Sequence, residues 1–295
     1  MYEKSVGLIF LILAAVVSLP AAFPSGKSLE LSLFGGYGLT RCDGDAVHED
    51  TWSFSQLTRV WERTDIFGEG KNPFVFGAEA VLYFNRSFGV GVSYSTWNSG
   101  LDIRSDFQFQ YDRADGSGDS RQIYWTDSGD VRGSVVGLNV CYRFGRGRIR
   151  SHVTAGPALF HHRLDLTAYF GGGLTDTAET VNPPIDAIKI PILIEGESVS
   201  ALGFNLGAGI TFQLASRLAL VVEGRYFLCP EAEFDWTIPA GTFDGIFYEG
   251  QIQDVYLSAA DLRYVLDHRT LAPLKFHASQ LQVRAGVKLT VGKGR

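Results

Sequence analysis

Residues 135–144 read Val-Val-Gly-Leu-Asn-Val-Cys-Tyr-Arg-Phe. The even positions, Val136, Leu138, Val140, Tyr142 and Phe144, are all apolar, while the odd ones include Gly137, Asn139, Cys141 and Arg143. Side chains of an extended chain alternate between two faces, so this is a strand with two chemically different sides. Gly145-Arg146-Gly147-Arg148 then signals a tight turn, and residues 151–160 alternate again, with Val153, Ala155, Pro157 and Leu159 against His152, Thr154, Gly156 and Ala158. The two stretches together predict a β-hairpin.

The pattern recurs along the chain. Strands are predicted over 28–40, 74–84, 88–97, 201–212, 218–227 and 281–291, which with the opening hairpin makes eight. Three connections are short, at 85–87, 145–148 and 215–216; four are long, at 42–72, 101–131, 164–197 and 230–277. The long ones read as loops, with a small hairpin around 51–62 and a hairpin within 101–131 that reaches beyond the main sheet. No Pro/Ser-rich linker divides the 295 residues, and 34 glycines, 13% aromatics and a single Met favour β structure over helix. A net charge of -6 carries no nucleic-acid signal. Lys4, an apolar run over 6–17 and Pro20-Ala21-Ala22 predict a secretory signal peptide over residues 1–22, leaving a barrel domain over 27–295.

Volume decides which face is inside. Eight strands enclose only enough space for side-chain filling, and about five large apolar residues from each strand would not fit there. The opposite face, mostly Gly, Ser, Ala, Thr and Asn, does fit. The apolar face therefore points outward into lipid, and a sheet in lipid must close because unpaired edge groups find no water. The fold class is all-β: a closed antiparallel eight-stranded transmembrane β-barrel with long extracellular loops. Even strand number, short turns on one side and long connections on the other fit a bacterial outer membrane, with both termini on the short-turn side.

In this architecture the chain resembles the eight-stranded outer-membrane β-barrel family, which includes the barrel of outer membrane protein A, OmpW-like and opacity-type proteins. Arg284, Gly286, Leu289 and Val291 also resemble the family's assembly signal, although a terminal aromatic is missing and Gly292-Lys293-Gly294-Arg295 follows. The resemblance implies outer-membrane lipid and the barrel assembly machinery as partners, a monomer, and an extracellular ligand at the loops as the open question. The reading is a structural or surface-interaction protein, not an enzyme and without cofactor or nucleic acid. The other readings are a small-solute or apolar-ligand channel, and a lipid-modifying outer-membrane enzyme. For the last, His277 and Ser279 share a face, as do the His and Ser of lipid A deacylases with this barrel; a rim His and a rim Ser with no joint role is the plainer account.

Individual residues carry further expectations. Glu30, Glu79 and Glu223 share the inward face with Arg143, Arg225, Arg284 and Lys288, and a buried unpaired charge costs several kcal/mol, so these seven are expected to form an interior ion-pair network that plugs the lumen. Glu30 and Lys288 sit low on neighbouring strands, and Glu223 and Arg284 at similar heights. Loss of Glu223 or Lys288 is then expected to open a conductance. The three cysteines suit no metal spacing. Cys42 and Cys229 fall at outer strand ends, where either a disulfide bracing the mouth or two free thiols is consistent with an oxidising compartment; Cys141 points inward as a small interior residue. His161-His162 reads as a membrane-edge pair. Tyr37, Phe84, Tyr94, Tyr142, Phe144 and Tyr226 suit interfacial girdles, and Trp52, Trp61, Trp125, Phe243, Phe247 and Tyr248 belong to the long connections, packing them or presenting a binding surface.

Overall fold

A computed structural model describes residues 27–40, 43–54, 57–113, 116, 118–173, 187–237 and 272–292. The predicted signal peptide lies outside them, as do Cys42, Phe243, Phe247 and Tyr248. The elements are β1 (Ser28–Thr40), β2 (Asp43–Phe54), β3 (Leu57–Gly70), β4 (Phe74–Tyr83), β5 (Phe88–Arg113), β6 (Gly118–Phe144), β7 (Ile149–Gly173), β8 (Ala187–Gln213), β9 (Leu218–Leu228), β10 (Ala232–Phe234), β11 (Leu274–His277) and β12 (Gln280–Val291). All pairings between them are antiparallel. Taken in order, β1 pairs with β4, β4 with β5, β5 with β6, β6 with β7, β7 with β8, β8 with β9, β9 with β12, and β12 with β1. The eight-membered ring is closed.

The four long connections are not loops at their bases; this corrects the sequence reading. β5, β6, β7 and β8 run on past the predicted strand ends without interruption. β2 pairs with β3 and β11, β3 with the upper part of β5, and β10 with β11. Thr237, just after β10, closes onto β8 through a reciprocal pair of backbone hydrogen bonds with Leu193 at 2.7 and 2.8 Å. A second eight-membered ring thus stands on the first. β2 continues the line of β1, β3 that of β4, β10 that of β9 and β11 that of β12. These four adjacent lines break at one height, while the other four pass straight through.

The outer surface is banded. Leu33, Tyr37, Phe74, Phe76, Leu138, Tyr142, Leu202, Leu206, Tyr226 and Val283 are exposed on the lower ring. Outward apolar runs such as 136–144 on β6 and 149–159 on β7 suffice for a tilted strand to cross about 30 Å of hydrocarbon. Above Val136 and Leu159 the outward residues become Ser134, Arg132 and Asp130 on β6 and His161, Arg163 and Asp165 on β7. The membrane-spanning part ends there.

Candidate functional site

Inward-facing residues fill the lower ring with charge. Near the short-turn end Glu30 is shared by Arg143 and Lys288, the latter at 3.1 Å, and the Arg143 guanidinium lies 4.1 Å over the Tyr83 ring. Higher up, Arg225, with no exposed surface, donates to Glu79 and Glu223 at 2.8 Å each and to Ser93 Oγ at 3.1 Å. Glu223 also takes Arg284 at 3.0 Å and faces His152 Nε2 at 3.5 Å; Arg284 in turn stacks 4.0 Å over Phe34. The structure therefore brings all seven named charges into two linked groups. His152 and Asn139, which donates to Ser93 Oγ at 3.0 Å, also join the upper group, although a reading that pairs only carboxylates with Arg and Lys does not point to them.

A different material fills the lumen above these charges, from the top of the lower ring into the upper one. Gln282 donates to Gln280 Oε1, which also accepts the Trp97 indole N–H at 3.0 Å. Trp97 stacks on His162 at 5.4 Å between ring centres, and His162 lies 6.0 Å from Phe160 and 5.8 Å from Phe276. Phe276 meets Phe234 edge-on at 6.1 Å. Above these rings Leu101, Ile103, Val131, Leu164, Leu166, Ile192, Ile194 and Leu274 form one buried cluster. The interior is thus a charged tier within the membrane under an apolar tier that begins near its outer edge and continues above it. Trp125 packs against Phe107 and Tyr169 at 6.2 and 6.3 Å, and Trp61 donates to Glu49 at 2.7 Å, so these two aromatics hold the extension together.

Trp97 fits only because of Gly133. A Cβ at Gly133 would fall 1.3 Å from the indole ring. Gly133→Ala is expected to push the indole off Gln280 and lower stability by about 1–3 kcal/mol, the usual effect of overpacking. A changed near-ultraviolet circular dichroism band and a lower unfolding midpoint report it; an unaltered spectrum would show the tier to be loosely packed.

The two adjacent histidines part company. His161 faces outward with Nδ1 3.1 Å from Ser200 Oγ, whereas His162 points inward with Nε2 3.3 Å from the Cys229 thiol. Burial disfavours the charged form of His162, and the neighbouring His161 adds to this, holding its pKa down to about 4 against an ordinary 6.5. Between those values the unfolded chain binds a proton that the folded chain refuses. Stability is therefore complete above pH 6.5 and falls as the pH drops toward 4, by about 3 kcal/mol in all. His162→Phe, which keeps the ring stack, should flatten this pH window in unfolding titrations; an unchanged slope would place the proton elsewhere.

Cys229 is a buried thiol and Cys141 another; burial alone pushes Cys229 up to about 12. Cys42, the other half of the expected bridge, is outside the described residues. His277 and Ser279 do not converge. His277 Nε2 approaches Glu231 at 3.3 Å, while Ser279 Oγ accepts the Cys229 N–H at 3.2 Å and reaches its carbonyl at 3.3 Å. Both residues join the β9 and β12 lines at the height where those lines break.

A closed ring, an apolar outer band and a charged interior are the features that an outer-membrane barrel requires, and residues 9–235 match the model of the outer membrane protein beta-barrel domain. The chain belongs to that family. It is accordingly a transmembrane barrel of the bacterial outer membrane. No curated protein matches this barrel. Among solved structures it is similar to the outer membrane protein OprG from Pseudomonas aeruginosa, at 9% identity and a TM-score of 0.45 over 90% of this chain and 97% of that one. Neisserial surface protein A is similar at 10% identity and a TM-score of 0.38, again over 90% and 97%. The outer membrane protease OmpT from Escherichia coli is similar at 8% identity and 0.39 over the same shares.

Proposed function

We propose that this outer-membrane barrel is a closed wall with a structural or surface-interaction role, not a solute pathway or an enzyme. The observation that carries the reading is the double filling of the interior, ion pairs below and packed rings and aliphatic side chains above. Either tier alone occupies the narrow lumen of eight strands. The second tier changes one expectation: with the apolar cluster intact, neutralising Glu223 or Lys288 leaves the lumen shut.

The wall continues above the membrane, which gives a partner a rigid face in place of mobile loops. On its outer side a cleft of about 750 Å³ is lined by Phe67, Glu69, Asp102, Arg104, Asp106 and Ser128. Its charges are largely paired, Lys71 with Asp102 at 2.8 Å and Arg104 with Asp106 at 2.9 Å. Planar-bilayer recording tests the reading. No steady conductance is expected from the intact protein, and a large stable one would replace the wall with a channel.

A further inference from the structure

Just above the apolar band, β6 and β7 place two arginines face to face. Arg132 and Arg163 are direct partners in the β6–β7 register, and both side chains point outward and are exposed. Like charges directly opposite on neighbouring strands are destabilising. Arg163 has one weak neighbour, Asp165 at 3.4 Å, an exposed contact of little energetic worth. Arg132 has no carboxylate within ion-pair distance among the described residues.

The surroundings suit an anion at this spot. His161, one outward position lower, is exposed and is held through Nδ1 by Ser200 Oγ at 3.1 Å. Ser134 lies opposite His161, and Ser198 opposite Arg163. Gly196, in the left-handed region with φ 62°, makes a bulge in β8; a Cβ there would come within 2.6 Å of Arg163 Nη2, so the glycine keeps room for the guanidinium.

Height and the next row upward identify the source of the anion. Arg132 and Arg163 lie four residues beyond Val136 and Leu159. On tilted strands that is roughly 10 Å, within reach of the headgroup layer for a side chain that can bend toward it. The next outward residues are acidic, with Asp130 opposite Asp165 and Asp165 opposite Glu195. An anion arriving from water meets those carboxylates first. One carried by a lipid arrives from below and beside, where only Ser134, His161 and Ser200 intervene.

We propose that Arg132, Arg163 and His161 form a binding site for the phosphate of an outer-leaflet phosphoglycolipid. The two guanidiniums clamp the phosphate oxygens, which removes their mutual repulsion, and the imidazole and serine hydroxyls take the adjoining sugar. Basic surfaces at lipid headgroup height gain about fivefold in affinity for each arginine.

Native mass spectrometry of the full-length barrel in neutral detergent tests this with two probes, bisphosphorylated lipid A and the same lipid with its phosphates removed. The wild type should hold the phosphorylated lipid through detergent exchange and bind the dephosphorylated one roughly thirtyfold more weakly. Arg132→Gln/Arg163→Gln should bind the phosphorylated lipid as weakly as that, while Lys71→Gln should bind it like the wild type. Equal binding of both lipids by the wild type overturns the proposal without recourse to any variant. So does displacement of the bound lipid by millimolar inorganic phosphate, which would mark a soluble-anion site, or a matching loss in Lys71→Gln, which would mark diffuse rim charge.

Discussion

Arg225→Met lowers the stability of the folded barrel by about 3–5 kcal/mol, the range for removing one partner of a buried charge group. Arg225 is the only described side chain that touches both Glu79 and Glu223. Without it Glu79 keeps only Asn139 Nδ2, at a long 3.4 Å, and Glu223 keeps Arg284 and His152. Two carboxylates then face each other in a space that water enters poorly. Urea unfolding in lipid vesicles measures the loss. Adding Glu79→Gln and Glu223→Gln to the same chain should recover most of it, since the penalty lies in the abandoned charges. A single-variant effect under about 1 kcal/mol would mean that interior water already carries the charges. Conductance should stay at background throughout, because the apolar tier is untouched.

The complementary substitution acts above the membrane. Phe276→Ala is expected to remove about 3–5 kcal/mol, as for other buried Phe truncations, since Phe276 is nearly fully buried and its ring meets both His162 and Phe234. The cavity would open among the elements that break from the membrane strands. The loss should therefore appear as faster trypsin cleavage of the extracellular half, while the membrane half still migrates as a folded barrel on unheated gels. Arg225→Met and Phe276→Ala combined should give the first measurable ion leak. Leak from either single variant would show that one tier seals alone.

The lower half of this molecule could be read from its residues because lipid and a narrow lumen leave each face one chemistry. Val136, Leu138 and Val140 point out, Asn139 and Arg143 in. Glu30 with Lys288 and Glu223 with Arg284 could be paired on paper because their strands are neighbours. The join between Arg225 and Glu79 could not, since β9 and β4 are not neighbours and the contact crosses the lumen. The upper half reads as loops for a different reason. In β5 the inward parity of Ser93 and Ser95 carries on to Leu101, Ile103 and Phe107, but there the outward partners are Asp102, Arg104 and Asp106. The alternation persists with its polarity reversed. In β8 even that trace is broken: Ile192 and Ile194 face inward at even positions, and beyond Gly196 the inward residues are odd, such as Asn205. A one-residue bulge erases the period that would have revealed the strand.

The reversal of polarity along uninterrupted strands has a bearing on how the chain finds its place. A one-residue slip of β5 against β6 would turn Ser93 and Ser95 toward hydrocarbon and, in the same move, Leu101 and Ile103 toward water. A barrel whose strands end at the membrane surface would suffer only the first of these errors. Along these long strands every slip by an odd number of residues is penalised at both ends, so the mature register is set against its nearest alternatives by two solvents at once.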